Sequence, residues 1–175
     1  VNARLVSLGV DRCGAERFWI SSCNFTSGSL GVAISEEGEH RLYPLNKPII
    51  GYCYTAAAEN PETVWLCVGL NQVARLDLRT GRYRLYKTGS EPAFVCCGGR
   101  FDPDTRNFFA VGYLDRGGVD GTTAIEFDTR SRKAVVHRDI GPDQFMYCCL
   151  RQPDGAYVGS TVCPGFTLVH WDPRR

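Results

Sequence analysis

The chain has 175 residues, a formal net charge of +1 and 22 % charged residues, so it lacks both the basic footprint of a nucleic-acid binder and a polybasic membrane surface. Its 43 % apolar content is ordinary for a globular protein, and a chain of this length can bury roughly 70 % of its unfolded surface. No apolar run approaches the ~18–20 residues of a membrane-spanning helix, and Val1-Asn-Ala-Arg4 lacks the apolar core of a signal peptide.

Taken in order, the chain is a series of short apolar runs separated by turn residues. Residues 5–10 form a first run, followed by a turn over Asp11–Glu16 and a second run at Phe18-Trp-Ile-Ser-Ser22. Leu30–Ser35 and Glu39–Leu45 supply a third and a fourth. The next set is clearer. Pro48 precedes Gly51-Tyr-Cys-Tyr54, Glu59-Asn-Pro-Glu62 makes a turn, and Val64–Val68 is a continuous apolar strand that ends at Gly69. Gln72–Leu78 alternates apolar and polar residues, Asp77-Leu-Arg-Thr-Gly81 is a tight turn, and Arg82–Tyr86 returns as an alternating outer strand.

The pattern then recurs. Ala93-Phe-Val-Cys-Cys97, Phe108–Gly112, Thr123–Asp128 and Lys133–Arg138 make a third set, with a turn at Asp102-Pro-Asp-Thr105. Phe145–Cys149, Ala156–Ser160 and Thr167–Asp172 begin a fourth, with a turn at Pro153-Asp-Gly155 and no outer strand after Asp172. Gly69, Gly112 and Gly159 lie 43 and 47 residues apart, and Asp77, Asp128 and Asp172 each close a third strand. Four strands per period of this length identify an all-β β-propeller with about four blades, over residues 4–45, 49–88, 93–138 and 144–175. A blade has two apolar faces and must stack on neighbours on both sides. The inner strands therefore read as unbroken apolar runs and the outermost ones alternate. A β-sandwich is the alternative. A fourth set that stops at its third strand points to one part of a ring of six to eight blades, closed by further blades or by a second copy of the chain in a homodimer, with an imperfectly closed four-bladed ring as the alternative.

The units Trp65–Tyr86 and Arg41-Leu-Tyr-Pro-Leu-Asn-Lys-Pro48 resemble repeats in two bacterial propeller groups, the streptogramin-lyase-like propellers and the sensor propellers of hybrid two-component regulators. The first resemblance implies an elimination reaction, with histidine as base and a divalent metal near the central channel. The histidines here depart from it. His40 and His137 fall on or beside outer strands and His170 on a third strand, so lyase chemistry would have to come mostly from outside this segment.

The nine cysteines (Cys13, Cys23, Cys53, Cys67, Cys96, Cys97, Cys148, Cys149 and Cys163) are odd in number and contain no Cys-x-x-Cys. They read as small buried hydrophobes, which favours a reducing compartment such as the cytoplasm. Cys53, Cys96 and Cys148 occupy equivalent inner-strand places and are read as packing residues, so no metal and no cofactor is expected. The carboxylates Glu59, Glu62, Asp102 and Asp104 are read as turn formers.

Function is expected where one repeat departs from the others. Tyr113-Leu-Asp-Arg-Gly-Gly-Val-Asp-Gly121 reads as an eight-residue lengthening of one second-to-third strand connection. In propellers such loops share a face with the fourth-to-first connections. That face would carry Asn24, Phe25, Asn71, Gln72, Tyr113, Asp115, Arg116, Asp143 and Gln144. These amide, aromatic, arginine and carboxylate side chains suit a carbohydrate or other small molecule. The expected function is a ligand-binding or sensing module. Its alternatives are a polysaccharide or lactone lyase and a protein-interaction scaffold.

Overall fold

The computed structural model describes residues 2–10, 14–24, 28–35, 38, 40–44, 55–68, 71–90, 94–114, 121–141, 145–162 and 166–175. Every regular element among them is a strand. The first antiparallel sheet holds β1 (Asn2–Val10), β2 (Glu16–Asn24), β3 (Gly28–Ser35) and β4 (His40–Pro44), in that order. The second holds β5 (Thr55–Asn60), β6 (Thr63–Val68), β7 (Gln72–Asp77) and β8 (Tyr83–Lys87). The third holds β9 (Phe94–Asp102), β10 (Asn107–Leu114), β11 (Gly121–Asp128) and β12 (Lys133–His137). The last has three strands, β13 (Phe145–Arg151), β14 (Tyr157–Val162) and β15 (Phe166–Trp171).

The first strands of successive sheets pack beside one another, β1 on β5, β5 on β9 and β9 on β13, so the sheets fan out from their innermost strands in chain order. Three cores fill the gaps between them. Trp19, Tyr43 and Leu8 meet Val64, Leu66, Leu76 and Leu78 between sheets one and two. Trp65, Cys67 and Val73 meet Phe108, Ala110, Ile125 and Phe127 between sheets two and three. Phe109, Val111 and Ala124 meet Tyr157, Val169 and Trp171 between sheets three and four.

Successive side chains on a strand point to opposite faces, and the cores show both faces in use. Val64 and Leu66 go to one core, Trp65 and Cys67 to the next. A strand sheltered on both sides has no polar face to show, which is why β6 and β10, the second strands of the two interior sheets, read as largely apolar runs. Each fully buried large side chain contributes about 1.5–3 kcal/mol, so the stacking of neighbours stabilises every sheet. A two-slab sandwich buries only one face of each sheet and does not fit this arrangement.

The turns confirm the role read for the aspartates. Asp77 Oδ1 accepts the Thr80 amide at 2.9 Å, Asp128 Oδ1 accepts those of Arg130 and Ser131 at 2.8 and 3.2 Å, and Asp172 Oδ1 accepts that of Arg174 at 3.0 Å. All three carboxyls are held below the ordinary aspartate range, Asp77 first by the Thr80 amide, Asp128 first by the Ser131 side chain and then the Arg130 amide, and Asp172 first by the Arg174 guanidinium and then its amide.

Several details differ from the sequence reading. Leu76, Phe127 and Trp171 pair with Val64, Phe108 and Tyr157, so Tyr157 and not Ala156 is the counterpart of Val64 and Phe108. A one-residue slip exchanges the two faces of a strand, and Tyr157 belongs on the face toward sheet three. Gly112 pairs with Thr123 and Gly159 with Val169, at non-equivalent rungs, so the aspartates mark the repeat and the glycines do not. Glu59 and Asn60 end β5, which narrows the expected turn to Pro61 and Glu62. Tyr113, Leu114 and Gly121 add rungs to β10 and β11, so ladder hydrogen bonds absorb part of the expected loop and only residues 115–120 remain between the two strands.

Candidate functional site

Second strands end and third strands begin along one rim, and the described members of the predicted site lie there. Asn24 closes β2, Asn71 and Gln72 open onto β7, and Tyr113 sits near the end of β10. The Asn71 carbonyl accepts the Thr88 amide at 3.0 Å, which ties this connection to the end of β8. Phe25, Asp115, Arg116, Asp143 and Gln144 lie outside the described residues, as do the side chains of Asn24 and Tyr113.

The opposite rim, where first strands turn into second strands and third into fourth, holds a cavity that the sequence reading missed. It lies between sheets two and three and measures about 570 Å³. Arg75, Arg82, Arg84, Arg106 and Arg132 line it, with Glu59 and Asp77 as its only carboxylates among the described residues. Trp65 and Tyr86 form its apolar floor, their rings 5.9 Å apart.

Glu59 organises the deep end. Its carboxylate accepts the Trp65 indole N–H at 2.8 Å, pairs with the Arg106 guanidinium and lies 3.7 Å from Arg75 Nε. Arg75 also donates to Thr63 Oγ1 at 3.2 Å. The Glu59 side chain is 8 % exposed, and these donors compensate its burial. The equivalent indole shows what happens without it. Leu8 stands two residues beyond Val6, the partner of Trp19, as Glu59 stands two beyond Ala57, the partner of Trp65. Trp19 Nε1 is buried without a hydrogen-bond partner among the described residues.

The outer wall is arginine. Arg84 lies 5.6 Å and Arg132 5.8 Å from the centre of the Tyr86 ring, in cation–π contact. Arg82, Arg84 and Arg132 form no ion pair among the described residues. Arg84 sits directly across from Arg75 in the β7–β8 ladder. An alternating outer strand reading Arg-Tyr-Arg was visible in the sequence, but its alignment with Arg75, Arg106 and Arg132 depends on strand pairing and on the packing of two sheets.

A second polar cluster joins sheets three and four. The Tyr157 hydroxyl donates to Glu126 Oε1 at 2.8 Å, and His137 Nε2 lies 3.3 Å from Glu126 Oε2. The His137 bond, with that of Tyr157, holds the Glu126 carboxyl below its ordinary range. The His137 ring meets Trp171 edge-on at 4.6 Å, and Phe109 stacks on Tyr157 at 4.3 Å. Arg151 Nη1 pairs with Asp102 Oδ2 at 2.8 Å across the same gap. These groups are engaged with one another and read as a latch between sheets.

Four fanned antiparallel sheets with cores between them give this chain a β-propeller fold. No family model matches the sequence, and no curated protein does. Solved structures do. The WD40 beta propeller domain of Doa1 superposes with a TM-score of 0.64 at 10 % identity, over 98 % of this chain and 50 % of that one. The extracellular domain of hybrid two component system BT3049 from B. thetaiotaomicron superposes with a TM-score of 0.56 at 10 % identity, over 99 % of this chain and 20 % of that one. The chain thus spans half of the first structure and a fifth of the second, and at this identity the likeness concerns the fold.

Proposed function

We propose that this chain is a recognition module, an arc of a larger propeller whose other blades cover its two end sheets. The carrying observation is the pair of apolar faces left open. Leu150, Phe166 and Leu168 are 60, 70 and 72 % exposed on sheet four, and Val10 and Leu42 are 59 and 56 % exposed on sheet one. Strand β15 alternates exposed and half-buried residues, with Phe166 and Leu168 on the open side. In the interior sheets the corresponding faces are cores. Apolar faces of this kind mark association surfaces. The half-length match to the Doa1 propeller supports the same reading.

On this reading the rim carrying Asn24, Phe25, Asn71, Gln72, Tyr113, Asp115, Arg116, Asp143 and Gln144 receives a carbohydrate or other small ligand. Its support is the chemistry of those side chains and the shared rim of Asn24, Asn71, Gln72 and Tyr113. Sedimentation of the chain alone tests the assembly. Concentration-dependent association is expected, and Leu168→Asp with Phe166→Asp should disperse it without lowering Tm. A chain that stays monomeric at its solubility limit would retire the idea. For the ligand, a thermal-shift screen across neutral and acidic sugars should give a hit that Gln72→Ala weakens.

A further inference from the structure

We propose that the arginine-lined cavity between sheets two and three binds a compact polyanion, a small molecule carrying two or more phosphate or carboxylate groups. This site is separate from the loop rim, and four observations converge on it.

The first is charge. Five guanidiniums face two carboxylates, and those carboxylates are spoken for: Glu59 by Arg75, Arg106 and Trp65, and Asp77 by the amide of its own turn. Asp77 keeps its charge, so the cavity carries three guanidiniums in excess, and Arg82, Arg84 and Arg132 form no ion pair among the described residues.

The second is register. Arg75 and Arg84 are directly opposed across an antiparallel ladder, where like charges destabilise, and Glu59, the carboxylate beside Arg75, is shared with Arg106.

The third is backbone conformation. Gly81, Arg106 and Arg132 each follow an aspartate by four residues, and each amide donates to that aspartate's carbonyl at 2.8 Å. Their φ angles are +71°, +64° and +61°. Glycine takes this left-handed conformation without strain and arginine does not. Two of the three turns accept the strain, and both arginines line the one cavity.

The fourth is a contrast between equivalent arginines. Arg41, the counterpart of Arg84 in sheet one, is spent on the carbonyls of Leu78 and Arg79 at 3.2 and 2.7 Å. Arg84 makes no such bond among the described residues. The planar guanidinium fork suits bidentate oxyanions, and the volume falls within the usual range for small-molecule sites.

Calorimetric titration of the intact chain with pyrophosphate and with citrate tests this, against acetate as a monoanion control. Binding of either polyanion at least tenfold tighter than acetate is expected, weakening as salt rises. The arm that binds tells phosphate from carboxylate chemistry. Arg132→Gly should lower the affinity at least tenfold while leaving Tm unchanged or raised, because glycine relieves the left-handed turn. Arg84→Gln should do the same to affinity. Arg130→Gln removes an equal charge from the same turn outside the cavity and should leave binding intact. Failure of both polyanions to bind, or an Arg130→Gln loss equal to that of Arg132→Gly, would overturn the proposal.

Discussion

Glu59 shows how much one side chain can carry when it is placed at a seam. It neutralises Arg75 within its own sheet, receives Arg106 from the next, and satisfies the buried indole of Trp65. Removing it leaves two guanidiniums and an indole N–H without their acceptor. Both arginines are partly open to water and part of the loss is screened, so Glu59→Ala should cost about 2 kcal/mol, measured as a shift in urea midpoint at unchanged slope. Glu126 makes a pH-dependent contribution of the same kind. Its pKa is lower folded than unfolded because of His137 and Tyr157, so its stabilisation is complete above the ordinary carboxylate pKa and is lost as pH falls below it. Asp77 and Asp128 act with the same sign, and Asp172, held at about 2 by its Arg174 bonds, extends the window downward. Tm should therefore hold from pH 7 to about 5 and fall steadily toward pH 2, and Glu126→Gln should flatten the upper part of that fall.

At the scale of the element, the turns between third and fourth strands set the register on which everything else depends. Asp128 caps its turn through two amides, and Asp128→Ala should cost about 1 kcal/mol, read from thermal unfolding. The aspartates and the existence of an outer strand were legible in the sequence because turn chemistry and strand pattern are local, although the strand runs over Tyr83–Lys87 and not Arg82–Tyr86, and its burial does not alternate. The register of the fourth repeat was not. Ala156 and Tyr157 are both reasonable strand starters, and only the pairing of Tyr157 with Trp171 and its stacking on Phe109 decide which face each residue takes. The insertion after β10 likewise reads as loop, because nothing in residues 113–121 reveals that its ends pair as extra rungs.

For the whole molecule, nearest-neighbour stacking predicts that damage at one seam stays near it. Among the described residues Phe109 packs into the core between sheets three and four. Phe109→Ala should cost about 3 kcal/mol, and hydrogen exchange should show β14 and β15 losing protection while β2 and β3 keep theirs. Uniform loss over all four sheets would mean that the stack is a single cooperative unit. The sequence by itself determined the repeat, the strand type and the two-faced burial, because each follows from local periodicity and from the need of an apolar face for cover. Tertiary structure alone decided where the arginines meet. Arg75, Arg84, Arg106 and Arg132 come from two sheets and four chain segments, and no spacing along the chain encodes the gap that gathers them.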